Sequence, residues 1–163
     1  MNDYVTEAII EIPLGSKNKY ERDEKTGHIK LDRVLYSAMN YPTEYGIIDQ
    51  TLAGDGDPLD VLVICDYPTF AGCVVPARIL GYLTMYDKGE DYKLISVLDC
   101  DPRYSDIHSL EDLPKFKLEE IRNFFENYKE LQHVKVSVGE YHGRDEAIAV
   151  IEQCKEAYKQ FQR

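Results

Sequence analysis

The sequence predicts a mainly β fold, a small barrel or strongly curved sheet, with two helices towards the C-terminal end. Short strand-like segments recur at 60–65, 73–86 and 92–99 between Gly-containing turns, the pattern of a closed or curved sheet. In the final third the apolar residues change to helical spacing. No internal repeat, linker or low-complexity tract divides the 163 residues. Residues 1–163 are therefore expected to form a single domain, long enough to bury roughly two thirds of the surface of the unfolded chain.

In order along the chain, VTEAIIEIP at 5–13 mixes alternation with an apolar pair and reads as a first strand carrying Glu11 near its end. The segment Gly15 to Gly27 holds Lys17, Lys19, Glu21, Arg22, Asp23, Glu24 and Lys25, which is the composition of a solvated hairpin. Residues 31–48 bring Asp32, Arg33 and YSAMNYPTEYGII, punctuated by Pro42 and Gly46. Tyr36, Tyr41 and Tyr45 there fit the amphipathic edge of a core. DKGED at 87–91 is a turn between two of the strands.

Leu118, Ile121, Phe125 and Tyr128 fall at helical spacing, predicting an amphipathic helix over 115–129. Lys129 lies near its end, where the macrodipole favours a cation. A short strand, Val134 to Tyr141, leads through His142 and Gly143 to a second helix with the stripe Ala147, Val150, Ile151, Cys154 and Tyr158. His28, His108, His133 and His142 are scattered and read as surface or helix-end residues.

The charge balance narrows the functions open to such a fold. Nineteen Lys and Arg against thirty Asp and Glu give a net charge of −11, which opposes binding to a nucleic acid backbone. No apolar run approaches the ~18 residues needed to span a bilayer, and MNDYVTEAIIEIP lacks the form of a leader. Cys65, Cys73, Cys100 and Cys154 make no CxxC or Cys/His pattern. Reduced thiols and a cytoplasmic location are expected.

Between Arg33 and Arg78 there is no basic residue, yet Glu44, Asp49, Asp55, Asp57, Asp60 and Asp66 fall there. At its centre lies DGDPLD, three carboxylates in six residues, followed at once by the apolar run Val61 to Ile64. Pro58 restricts Asp57 to an extended or turn conformation. The hexad therefore reads as a loop delivering its last carboxylate to the mouth of a buried strand. Two unit charges ~5 Å apart at an effective dielectric of ~20 repel by about 3 kcal/mol. A hard cation such as Mg²⁺, which prefers carboxylate oxygen, water and substrate phosphate, relieves that repulsion. An EF-hand is excluded because Leu59 and Asp60 stand where it needs an acid or Asn and then Gly. No Ser or Cys lies in a nucleophile elbow.

The segments EIPLGSKNKYE, LDRVLYSAMNYPTEYG, DGDPLDVLV, GEDYKL and FFENYK together resemble the soluble, magnesium-dependent inorganic pyrophosphatases of family I over nearly the whole chain. The resemblance implies an OB-like five-stranded β-barrel flanked by helices, including a C-terminal one. It implies Mg²⁺ as cofactor, several ions per site, and hydrolysis of pyrophosphate to two phosphates. Asp55, Asp60 and Asp91 match direct metal ligands, with Asp87 beside them, and Glu11 and Glu21 match acids near the additional metals. Asp57 matches the acid that accepts a proton from the attacking water. Lys19, Arg33, Tyr45, Lys93, Tyr128 and Lys129 match the groups that hold pyrophosphate and the departing phosphates. A homo-oligomer, commonly a hexamer, is implied as well. One departure concerns the turn, where three residues separate Asp87 from Asp91 and the family usually has four. The rival readings are a hydrolase of another diphosphate, such as a nucleotide sugar, and a non-catalytic OB-like binding module. The absence of a Nudix-type pattern and the presence of both acid and base sets weigh against them.

Overall fold

In a computed structural model that describes residues 2–162, the chain forms eight strands and two α-helices. The strands are β1 (Val5–Ile12), β2 (Asn18–Arg22), β3 (Ile29–Val34), β4 (Glu44–Ile48), β5 (Leu59–Ile64), β6 (Val74–Tyr86), β7 (Glu90–Leu98) and β8 (Ser137–His142). The helices are α1 (Lys115–Asn127) and α2 (Arg144–Phe161). Hydrogen bonding runs in the order β1-β4-β5-β7-β6-β8, and an additional β1–β6 pairing closes β1, β4, β5, β7 and β6 into a ring. This is the expected five-stranded barrel flanked by helices. Closure removes the free edges that an open sheet of these strands would expose.

The longest strand makes closure possible. On one edge β6 pairs first with β1, from Val74 to Ile9, and then with β8, from Tyr82 to His142. Its other edge pairs with β7, and the register shifts between Ile79 and Gly81. A bulge of this kind bends a strand and increases its local twist. β5 and β7 run parallel, so that Asp60 pairs with Lys93, Leu62 with Ile95 and Ile64 with Val97. A close approach also governs β4: a Cβ at Gly46 would lie 2.1 Å from the Ile9 carbonyl oxygen of β1.

Period-two alternation divides the barrel side chains between two apolar clusters. Leu59, Val61 and Val63 join Ile10, Ile79 and Leu94 beneath Ala147, Val150 and Ile151 of α2. Leu62 and Ile64 join Ile12, Leu83 and Ile95 beneath Ile121, Phe124 and Phe125 of α1. Each fully buried aliphatic side chain contributes about 1.5–3 kcal/mol. Asp145 and Glu146 in the first turn of α2, with Lys159 in its last, complement the helix dipole.

The polar segment after β1 is a β2–β3 hairpin outside the ring. Tyr36 lies away from the core edge at 63% exposure, whereas Tyr41 and Tyr45 are buried. Tyr36 falls just past β3, where the chain turns away from the barrel. His28, His108 and His133 are exposed; His142 is half-buried and stacks on Tyr82 with centroids 4.6 Å apart.

Candidate active site

The site begins with strand alternation. Asp60, Leu62 and Ile64 leave β5 on the same face, and Asp91, Lys93, Ile95 and Val97 leave β7 on the matching one. Below Asp60 and Lys93, this face is the apolar floor under α1. Tyr45 of β4 pairs with Leu62 and so shares it. A single register thus brings a carboxylate, an ammonium and a phenol together where the apolar rows end.

Lys93 is buried, and its ammonium donates to Asp60 Oδ2 at 2.7 Å and to the Tyr45 hydroxyl at 2.7 Å, with Asp91 Oδ2 at 2.9 Å. Its Nζ lies 5.2 Å from the ring centroid of Tyr45 and 5.9 Å from that of Phe125. Burial alone would lower the pKa of such an amine, but Asp60, Tyr45 and Asp91 outweigh it and hold the pKa well above the usual lysine range. Burial pushes the Tyr45 phenol well above its ordinary pKa, and the Asp60 charge adds to this. Burial likewise carries Tyr128 to about 12, with Lys93 opposing and Asp87 adding. Both phenols are therefore hydrogen-bond donors at neutral pH.

Asp55, Asp57 and Asp60 are carried by the loop between β4 and β5. Asp55 Oδ1 accepts from the Asp57 backbone N–H at 3.0 Å, an Asx-type turn. Gly56 between them has φ +89°, which favours glycine. The Asp57 carboxyl is held above the ordinary range by partial withdrawal from solvent, then by Asp55, Glu21 and Asp60. Glu11, buried near the end of β1, accepts from the Arg22 N–H at 2.8 Å. Burial raises it to about 7 against that hydrogen bond, and Asp60 and Glu21 add to the rise.

Two further elements complete the walls. In the β2–β3 hairpin Lys19 pairs with Arg33 across the strands, and Asp32 lies 3.0 Å from Lys19 Nζ and 3.6 Å from Arg33 Nε. In the turn between β6 and β7, Lys88 and Gly89 take positive φ values of 64° and 134°. Asp87 there accepts from Lys129, just beyond α1, at 2.5 Å. The shortened turn therefore still brings both Asp87 and Asp91 to the site.

The result is one cleft of about 960 Å³, lined by all thirteen side chains singled out in the sequence. Sequence reasoning left Asp32 without a role; its place beside Arg33 and diagonally across from Lys19 is the signal for it. Glu44, by contrast, is buried away from the cleft. It accepts from the Leu14 and Thr69 N–H groups and the Thr69 hydroxyl, joining two loops.

Eleven carboxyl groups and eight Lys or Arg side chains line the cleft, with no histidine or cysteine among the described residues. Oxygen-only anionic donors suit a hard divalent cation. Among the described residues no group of three or more His, Cys, Asp or Glu side chains is placed to hold a metal ion by itself. The donors come from several separate segments, which fits an ion completing its shell with water and substrate oxygen. Asp60 and Asp91 already converge on one cationic point, the Lys93 ammonium.

The inorganic pyrophosphatase family model matches residues 8–159. The chain belongs to the inorganic pyrophosphatase family. It is 57% identical over 156 residues to the inorganic pyrophosphatase of Halalkalibacterium halodurans, covering 95% of this chain and 96% of that one. It is 54% identical to that of Geobacillus stearothermophilus, covering 96% and 95% of the two chains. Among solved structures, the Thermus thermophilus inorganic pyrophosphatase superposes with a TM-score of 0.92 at 45% identity, covering 95% of this chain and 91% of that one. The Helicobacter pylori enzyme superposes with a TM-score of 0.92 at 41% identity, covering 97% and 94%.

Proposed function

We infer that this chain hydrolyses inorganic pyrophosphate to two phosphates, with water as the nucleophile and Mg²⁺ as the metal. The observation that carries the reading is the meeting, in one cleft, of carboxylates from four separate segments with lysines, an arginine and two protonated phenols. Residues 1–163 act as one catalytic domain.

Asp55, Asp60, Asp87 and Asp91, with Glu11 and Glu21 alongside, would hold the Mg²⁺ ions, several to the site. When bound, Mg²⁺ would supply positive charge to offset that of the diphosphate and would lower the pKa of the attacking water. Asp57, with its pKa raised towards the working pH, orients that water and takes its proton. Lys19 and Arg33 from the hairpin, with Lys93 of β7 and Lys129 just beyond α1, neutralise charge on the departing phosphate. Tyr45 and Tyr128 donate hydrogen bonds to phosphate oxygens. The chain's own contribution is thus positioning and electrostatic stabilisation.

The proposed molecule is cytoplasmic and homo-oligomeric, a hexamer by family resemblance, and binds neither nucleic acid nor membrane. Its net charge of −11 supports the absence of nucleic acid binding. No helix among the described residues is long and apolar enough to cross a membrane. Sedimentation tests the assembly. Phosphate release from pyrophosphate with Mg²⁺ or EDTA, run beside a nucleotide sugar whose cleavage is followed as nucleoside monophosphate, tests the substrate. Hydrolysis of pyrophosphate alone supports the reading; equal or preferential cleavage of the nucleotide sugar overturns it.

A further inference from the structure

The loop carrying Asp55 and Asp57 leaves the barrel at Ile48 and returns at Leu59, and one side chain ties its two ends together. Thr51, 2% exposed, donates its hydroxyl proton to the Ile48 carbonyl at 2.6 Å and accepts the Leu59 N–H at 2.9 Å. A hydroxyl has one proton to give and can accept at the same time, so both capacities are used within the loop's own base. Leu59 immediately precedes Asp60, and Ile47, one residue before Ile48, pairs with Asp60 across β4 and β5. Above the base, the Ala53 N–H donates to the Asp57 carbonyl at 2.8 Å. On the outer side, the Leu52 N–H donates to the Cys154 carbonyl of α2 at 2.9 Å. The loop is thus fixed at its base by one threonine and to the rest of the molecule by the adjacent backbone.

We propose that Thr51 is a positioning residue of the active site, its hydroxyl setting the spacing of Asp55, Asp57 and Asp60 by closing the base of their loop. The proposal rests on the reading of those carboxylates given above. Thr51 touches neither water nor substrate in this scheme. It acts through the direction in which three carboxylates leave the backbone, where small misplacements are costly to catalysis.

The test compares Thr51→Val, which keeps the shape and removes the hydroxyl, with Thr51→Ser, which keeps the hydroxyl. Mg²⁺ affinity is measured by calorimetry without substrate, and kcat and KM are measured with pyrophosphate at saturating Mg²⁺. Thr51→Val is expected to lose roughly tenfold or more in both Mg²⁺ affinity and kcat, and Thr51→Ser to stay within about threefold of the parent chain. Ile151→Val, a remote core substitution in α2, serves as the stability control: it loses stability but keeps Mg²⁺ affinity and kcat. Should Thr51→Val fail to fold, Thr51→Cys reads the same loss through a weakly hydrogen-bonding thiol.

Parent-like Mg²⁺ affinity and kcat in whichever of the two variants folds overturns the proposal, as does a Thr51→Ser variant as impaired as Thr51→Val. A parent chain without Mg²⁺-dependent hydrolysis would instead count against the reading of the site. The substrate-free Mg²⁺ affinities would still decide the role of Thr51.

Discussion

Replacing Lys93 with Met tests the electrostatic centre of the cleft. Met approximates the length and apolar stem of Lys, so packing against Tyr45 and Phe125 is retained while the ammonium is lost. Without metal, Asp60 and Asp91 then lose a cation at 2.7 and 2.9 Å, and Tyr45 loses a partner at 2.7 Å. Removing one partner of a fully buried ion pair costs about 3–5 kcal/mol. The Asp60 and Asp91 side chains each keep 20% exposure, and water recovers part of the loss, leaving about 2–3 kcal/mol. At a urea dependence of ~2 kcal/mol/M, the unfolding midpoint in EDTA should fall by about 1 M. Adding Mg²⁺ should narrow that deficit, since a divalent ion neutralises the same carboxylates. Hydrolysis should still fall by about 10²–10³ in kcat/KM, because Met cannot stabilise charge on phosphate. Urea titrations with and without Mg²⁺, beside steady-state kinetics, measure both effects. An unchanged midpoint in EDTA, or unchanged kcat/KM, would refute the reasoning.

Other perturbations probe the walls and the frame. Arg33→Ala should lower kcat/KM for pyrophosphate by tenfold or more while moving the melting temperature little, because its contact with Asp32 is a half-exposed pair worth about 1 kcal/mol or less; equal kinetics in a folded variant would remove it from substrate binding. Gly46→Ala should destabilise the fold by about 3 kcal/mol, since the clash is with backbone rather than a movable side chain, and chemical denaturation reads this directly. The Cys65 thiol is driven up to about 12 by burial and then by Glu44, so it should alkylate far more slowly at pH 8 than exposed Cys100. An acidic group with its folded pKa raised above the unfolded one resists ionisation in the native state. The contribution of Cys65 is therefore present below about pH 9 and lost between about 9 and 12 as the unfolded thiol ionises; mass spectrometry of alkylated peptides and denaturation at stepped pH check the two statements.

The parts of this site that could be read from sequence were those encoded locally. DGDPLD before an apolar run marks a loop entering a strand, and β5 begins at Leu59, within the hexad. Of the predicted stripe, Ile121, Phe125 and Tyr128 are buried and Leu118 is partly buried; Tyr128 caps α1 just past its end, and Phe124 is an additional buried residue. The meeting of Asp60 with Lys93 depends on the parallel β5–β7 register, and no local pattern encodes which strands become neighbours. Only the family resemblance linked those positions. β3 escaped the period-two reading because it lies in a small outer hairpin and carries Lys30, Asp32 and Arg33, charges suited to a cleft rather than a core. Thr51 and Glu44 were illegible for a different reason. Their importance lies in hydrogen bonds to backbone groups 8 and 25–30 residues away, distances that side-chain type does not reveal.

The central claim is that water attacks pyrophosphate in a metal-dependent reaction in which Asp57 takes the water's proton. Its most direct test is phosphate release from pyrophosphate across a Mg²⁺ titration, for the parent chain and Asp57→Asn in parallel. The account predicts release that vanishes in EDTA, and an Asp57→Asn variant that still binds Mg²⁺ but loses about 10²–10⁴ in kcat. Release independent of metal, or parent-like kcat in Asp57→Asn, would contradict it.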